Sequence, residues 1–559
     1  MKQISIVKPV LKLALVGVVA LQVACSTSTS STPPADASIS GTISAAPVNG
    51  ADVSVVDGNG NVVVDPVPTD ADGQYSLVIP NGSLGQDLII KSTGGTFIDE
   101  ATGNQDVVAG EMLAYMSANS ITDGSSVSAT PGSTIIAKLV LDTANGIATK
   151  AEAEVVFANA FGYTPDVSVE PADATAPVAD ATDASKLAGL RAAAFSQLTM
   201  DLGLLSVEQF DLLAALVKDL ADGSLDGESA GSPVEIIVGE MLPIDVQNRF
   251  TTALLNFHDT GLMGDVHGND QTGLTSDMIG VIPFAKVALT SNYKIEYVPG
   301  MMDAMEGKTM FTLRITDAAD QAVTGLTAGL MPMMHMSAHK HSTPNLDCVP
   351  AITDGDYDCT VYYLMPSVMA TGMSMGYWEL TVMAAMGEST TFYPKVMMAM
   401  GDTPKVTLKG QAGSDMIAGM LGDMSRNYIL FNESLTGTGN ARKFKMFIAA
   451  MESMMSYPPV YVGAVLNVGD MDHELTVSTM TVEVSTVAVP AAPSDWKTAD
   501  EDPSASGYWL ATGLTDLVDG TEGNIHVRLK VNGEVKTIDG MAPSGANEYT
   551  TYTVTPGGM

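Results

Sequence analysis

The first apolar feature of the chain is an uncharged run from Leu13 to Ala24, behind a stretch carrying Lys2, Lys8 and Lys12 and ahead of polar Ser26. It is about half the ~20 residues that a helix needs to cross hydrocarbon. The pattern is that of a basic n-region and an h-region, which predicts a cleaved export signal over 1–24. The next residues, Ser26-Thr27-Ser28-Thr29-Ser30-Ser31-Thr32-Pro33-Pro34, offer nothing to bury. Residues 25–36 therefore read as a flexible tether, with order beginning near Ala37.

From Ile39 to about Pro131 the apolar positions alternate in short β-branched runs such as Ile39-Ser40-Gly41-Thr42-Ile43 and Gln74-Tyr75-Ser76-Leu77-Val78-Ile79. Asp57-Gly58-Asn59-Gly60-Asn61 and Thr69-Asp70-Ala71-Asp72-Gly73 supply the turns. A small antiparallel sandwich is expected over 37–131. The period then becomes helical. Leu187, Leu190, Ala194 and Leu198, then Phe210, Leu213, Ala214, Val217 and Leu220, form stripes at i, i+3, i+4 spacing. Thr149-Lys150-Ala151-Glu152 and Ser206-Val207-Glu208-Gln209 read as capping boxes, and Gly162 as a stop. A helical domain is expected over 132–262, with an irregular crossover after Thr164 rich in Pro, Asp and Ala.

Beyond about Val281 the alternation returns, as in Met310-Phe311-Thr312-Leu313-Arg314-Ile315-Thr316. It predicts one sandwich over 281–405 and a second β-rich domain over 406–559. Gly507-Tyr508-Trp509-Leu510 echoes Gly376-Tyr377-Trp378-Glu379-Leu380, a hint of duplication, and Asn532-Gly533 marks a closing hairpin. The fold class is multidomain and mainly β, with antiparallel β-sandwich modules around a central α-helical insert. A chain of 559 residues also exceeds the ~250–300 that one core serves.

A formal charge of −38 with only 26 Lys+Arg repels phosphate backbones and anionic headgroups, so nucleic acid is excluded as a partner. Leu21-Gln22-Val23-Ala24-Cys25 resembles the lipobox of bacterial lipoproteins, in which this cysteine becomes the acylated first residue. That resemblance implies lipidation of Cys25, a membrane partner through several acyl chains, and a cell-envelope location. Ser26 in the sorting position implies the outer membrane. The alternative is an ordinary secretory signal. In an exported protein the other two cysteines, Cys348 and Cys359, flanking a turn at Asp354-Gly355-Asp356, read as a disulfide across a hairpin. A reduced metal-binding pair is the rival.

Gly41-Thr42-Ile43, Pro47-Val48-Asn49-Gly50-Ala51-Asp52-Val53 and the stretch from Thr69 to Leu77 resemble the carboxypeptidase regulatory-like (transthyretin-like) module, which in its family is non-catalytic. Asp222-Gly223-Ser224-Leu225-Asp226-Gly227 copies the start of a calcium loop, but Pro233 stands where the bidentate Glu belongs. An ordinary post-helix turn is the better reading.

Methionine is the anomaly: 26 of 35 lie between Met301 and Met480, with four of the seven histidines. The densest run is Met331-Pro332-Met333-Met334-His335-Met336-Ser337-Ala338-His339-Lys340-His341. Thioether and neutral imidazole suit copper, Cu(I) above all, so Met331, Met333, Met334, His335, Met336, His339 and His341 are the candidate ligands. On an extended strand Met331, Met333 and His335 share one face, Met334 and Met336 the other, and His339 and His341 share a face as well. The bland alternative is that these side chains fill an irregular core against the many aromatics nearby. Met416, Met420 and Met424, at helical spacing, read as core.

The same region, from Phe311 through Met331-Pro332-Met333-Met334-His335 and Leu364-Met365-Pro366 to Gly376-Tyr377-Trp378-Glu379-Leu380, resembles the YtkA-like family of small envelope sandwiches, related in architecture to FixH. The resemblance implies a sandwich with a Met/His-rich edge near metal handling. The Cys348/Cys359 pair and the Met369, Met373, Met375 insertion depart from that family. His335 and His339 stand four apart as in zinc peptidases, but Met336 occupies the place of the general-base Glu. No nucleophile elbow or phosphate loop is present. The expectation is a non-enzymatic envelope lipoprotein that binds, either copper or, with no metal, an envelope protein partner.

Overall fold

A computed structural model describes residues 35–174, 180–260, 273–384, 387–503 and 506–557. The expected export signal over 1–24, Cys25 and most of the expected tether lie outside them. The described chain is mainly β and multidomain, with antiparallel sheets packed as sandwiches and five helices.

The first module closes two sheets over Ile39, Val53, Leu77, Ile90 and Ala114. Strand Ala37–Thr42 lies between Gln74–Ile79 and Ser125–Ser126, facing the order Val62–Pro68, Asp52–Asp57, Leu88–Thr93, Met112–Met116. In Gln74–Ile79 burial alternates strictly, with Tyr75, Leu77 and Ile79 inside, as a half-buried strand requires.

Helices α1 (Pro131–Leu141), α2 (Lys150–Phe161), α3 (Asp183–Asp201), α4 (Gln209–Leu220) and α5 (Val246–Thr260) follow. Thr149 and Glu152 form the capping box that starts α2, and Gly162 at φ 80° ends it. The box expected at Ser206 moves by one residue. Glu208 takes the Leu205 N–H at 2.6 Å, because the Ser206 hydroxyl already accepts from Asn104 Nδ2 at 3.0 Å in the first module. The α4 stripe is likewise rotated from the expected one: Leu212, Leu213, Leu216 and Leu220 are buried while Ala214 faces out. Phe161, Phe195 and Phe250 pack mutually at 4.6–5.5 Å between ring centroids.

The third module stacks a five-stranded sheet, ordered Val287–Leu289, Tyr293–Pro299, Gly307–Asp317, Asp356–Tyr363, Asn345–Pro350, on a four-stranded one, ordered Lys340–His341, Gly329–His335, Tyr377–Met383, Ser389–Phe392. Cys348 and Cys359 form a disulfide between adjacent strands, with both residues buried. The fourth module pairs a sheet built on Asn427–Thr436 and Arg442–Ala450 with one built on Met480–Ser485 and Gly523–Val531. Asn532 and Gly533, at φ 51° and 80°, turn the last hairpin.

The Tyr-Trp echo has a physical counterpart. Trp378 and Trp509 are both buried in sandwich cores, and their indole N–H groups donate to the Met365 and Val460 carbonyls. Tyr377 and Tyr508, one residue earlier, point outward to neighbouring modules. The reading of Met416, Met420 and Met424 as core residues at helical spacing is overturned. Gly419 and Gly422 turn the chain so that Met416–Ile417 pairs with Met424–Ser425, leaving Met420 83% exposed.

Candidate functional site

Strand Gly329–His335 separates the seven sequence-selected residues rather than gathering them. Its alternation sends Leu330, Pro332 and Met334 into the sandwich core and turns Met331, Met333 and His335 toward the opposite face. On that face the helical domain packs. Tyr377 and Tyr393 belong to the helical core, and Asn248 of α5 donates to the Thr391 carbonyl at 2.8 Å.

His335 is buried there. Its ring stacks on Tyr377 with centroids 4.5 Å apart, Nδ1 lies 3.1 Å from the Tyr377 hydroxyl, and Nε2 lies 2.8 Å from Glu379 Oε2. The hydrogen bond from His335 holds the Glu379 carboxyl below its usual range against the cost of its burial. Met331 is half exposed and His339 exposed, on the far side of a bend at Ser337 and Ala338. His339 meets Met336 through the backbone, its carbonyl accepting the Met336 N–H at 3.2 Å.

What the strand does bring together is on the core side. Met334 stands opposite His341 in the antiparallel register, so both side chains share a face. His341 is 6% exposed and sits edge-on to Trp378, with centroids 5.5 Å apart. Its Nδ1 lies 2.7 Å from the Ser342 carbonyl oxygen, and its Nε2 lies 3.4 Å from the Met365 sulfur. A carbonyl only accepts, so Nδ1 carries the hydrogen and Nε2 keeps its lone pair. Burial lowers the His341 pKa and the proximity of His339 adds to this, against the Ser342 hydrogen bond, so the surroundings favour the neutral ring. A nitrogen lone pair and a thioether sulfur thus face each other with no proton between them. Met336, Met365 and Met375 pack half-buried against the same core.

The second imidazole contact is held from several directions. Ser342 donates its hydroxyl to the Pro332 carbonyl at 2.8 Å and its N–H to the Met454 carbonyl at 2.8 Å. Trp378 Nε1 fixes the Met365 backbone at 3.0 Å. Gly376, at φ 119°, lets the two strands approach so closely that a Cβ there would lie 1.9 Å from the His335 carbonyl oxygen. Sequence reasoning missed Met365, Trp378 and Ser342, which come from other strands and a loop. The segments Leu364-Met365-Pro366 and Gly376-Tyr377-Trp378-Glu379-Leu380 carried the family resemblance and so flagged the first two, without giving them a place at the site.

Among the described residues, no three His, Cys, Asp or Glu side chains gather as a metal-ligating group; the pair above is thioether with imidazole. The calcium-like loop is a turn. Asp222 accepts the Ser224 and Ala230 N–H groups, Asp226 that of Glu228, and buried Asp219 that of Gly227 at 3.0 Å. Pro233 lies in the short strand Ser232–Pro233. Among the described residues no helix is long and apolar enough to cross a membrane.

No protein-family profile matches the chain, and no curated protein matches it. Among solved structures, the Yersinia pseudotuberculosis adhesin InvE is similar at 13% identity and a TM-score of 0.14, over 47% of this chain and 58% of the adhesin. The titin domains z1z2, in complex with telethonin, give 9% identity and 0.12 over 48% and 96%. A DUF4466 family protein from Parabacteroides merdae gives 9% and 0.13 over 47% and 98%. At such scores none of these likenesses bears on function.

Proposed function

We propose that this chain is a non-enzymatic envelope lipoprotein, held to the outer membrane through Cys25, that captures or delivers copper as Cu(I). The observation that carries the copper reading is the His341 Nε2 lone pair directed at the Met365 sulfur, 3.4 Å away, beside Trp378 and cross-strand from Met334. Soft thioether and neutral imidazole ligands select Cu(I) and need lose no proton to bind it. They work in an oxidising compartment, where the chain's own Cys348 and Cys359 are joined as a disulfide. Relative to the seven sequence candidates, the proposed ligands contract to His341 and Met365, with Met334 as third donor.

The test is anaerobic competition of the purified chain against a Cu(I) chelator. Replacing Met331, Met333, His335 and His339 together is expected to leave affinity within about threefold of the parent. His341→Gln with Met365→Leu is expected to lower it at least about tenfold. Equal affinity of parent and double variant, or absence of copper from protein isolated after copper-replete growth, overturns the copper reading in favour of a metal-free interaction protein. For the anchor, Cys25→Ser is expected to move the protein from membranes to the soluble envelope fraction. Export and membrane retention unchanged by that substitution would refute it.

A further inference from the structure

The chain has six arginines, and five of them pair with a carboxylate: Arg249 with Asp245, Arg314 with Asp356, Arg426 with Asp415, Arg442 with Asp519 and Arg528 with Glu483, at 2.6–3.0 Å. Arg191 of α3 does not. Among the described residues no carboxylate lies within ion-pair reach of it, although Asp and Glu total 64 against 26 Lys and Arg. Its guanidinium carbon sits 4.3 Å over the Tyr163 ring, a cation–π contact that orients the group without neutralising it. Desolvation lowers the Arg191 pKa, and the Tyr163 hydroxyl opposes this in part. A half-buried cation left without a counter-ion is costly to the fold.

Arg191 lines a cavity of about 180 Å³ between α3, the first turn of α1 and the crossover segment. Its aliphatic side includes Val167, Val169, Leu187 and Ala188. Asp166, the carboxylate on the wall, is engaged by the Ser168 N–H at 2.9 Å and the Ser168 hydroxyl at 2.6 Å. The cavity therefore combines one guanidinium without an ion-pair partner, one aromatic face, an aliphatic side, and a polar side carrying Asp166 and the hydroxyl residues Ser128, Thr130, Ser133 and Thr164. Its volume is close to the ~150 Å³ that accommodates a single benzene ring.

We propose that this cavity is a binding site for a small monocarboxylate, whose carboxylate pairs with the Arg191 guanidinium and whose apolar body fills the aliphatic side. A guanidinium offers two parallel N–H donors to a carboxylate, which a lysine cannot. A single cation beside the aliphatic side of the cavity favours such a ligand over a bare inorganic anion, which would leave that side wet. The inference is independent of the copper site.

Calorimetric titration of the full purified chain with sodium benzoate and with sodium hexanoate tests it, with benzyl alcohol and inorganic phosphate as comparison probes. Saturable binding of at least one carboxylate is expected, at least about tenfold tighter than either comparison probe. Arg191→Met is expected to abolish it, and Arg191→Lys to weaken it about tenfold or more. Ala188→Phe, which fills the cavity and leaves the arginine in place, serves where an Arg191 variant fails to fold, and it too should abolish binding. His341→Gln with Met365→Leu should leave carboxylate binding unchanged. Absence of carboxylate binding by the parent, binding retained in Ala188→Phe, or phosphate bound as tightly as benzoate overturns the proposal.

Discussion

Tyr362 and Glu433, on strands of different sandwiches, are joined by a 2.5 Å hydrogen bond in which the phenol donates to the carboxylate. Lys308 reaches the other oxygen of Glu433, also at 2.5 Å. The Tyr362 ring stacks on Phe447 with centroids 4.4 Å apart and leans on Phe431 at 5.0 Å, so one side chain is the hub of the junction between the third and fourth modules. Truncating a buried aromatic to alanine costs about 3–5 kcal/mol. Tyr362→Ala is therefore expected to split a shared thermal transition of the two sandwiches into two. Calorimetry that shows one undivided transition at the parent temperature would contradict this coupling.

The disulfide closes a loop of 11 residues in a hairpin whose strands already pair. Loss of so short a crosslink should lower stability by about 2–3 kcal/mol without changing the fold. Denaturant midpoints of Cys348→Ala with Cys359→Ala, measured beside the reduced and oxidised parent, check it: the double variant should match the reduced parent.

Asp219 at the end of α4 is buried, and desolvation, with repulsion from Asp226 and Asp222, raises its pKa to about 7 despite the N–H groups of Gly227 and Asp226. Its ordinary value is 3.8. The native state keeps the proton while the unfolded chain gives it up, so this group's contribution is fully present below about pH 4, falls as pH rises toward 7, and is level above. Asp219→Asn is expected to remove that slope. The stability difference between variant and parent should grow in the variant's favour from pH 4 to 7, and a difference independent of pH would refute the assignment.

Gly376→Ala would force a methyl group into the His335 carbonyl at a backbone angle that L residues rarely adopt. The strand pair Gly329–His335 and Tyr377–Met383 must open, at a cost of about 2 kcal/mol or more. Because this pair carries Met334 and Trp378, Cu(I) affinity should fall with stability. A variant that folds as stably as the parent would contradict this close approach of the two strands.

Much of the architecture was legible because it rests on local signals. Period-two burial in Gln74–Ile79, the Thr149/Glu152 box, the Gly162 stop and the Asn532-Gly533 turn each act within a few residues. Failures came mainly where a distant partner intervened. The first module claims the Ser206 hydroxyl and shifts a cap; the methionines at 416, 420 and 424 failed for a local reason, two glycines between them that turn the segment into a hairpin. The methionine-rich run was visible as composition, and its alternation was readable, but not the content of each face. That depended on α5 covering one side and on Met365 and Trp378 arriving from elsewhere to meet His341.

The outward-facing tyrosines of the third module have a practical corollary. Since Tyr377 and Tyr393 complete the interior of the helical bundle, a cut in the connection before residue 281 would strip two aromatic rings from the helices and bare one flank of the methionine strand. A folded fragment that contains either the helices or the third module should therefore contain both. Boundaries drawn where sequence character changes would yield two aggregating halves rather than two soluble pieces.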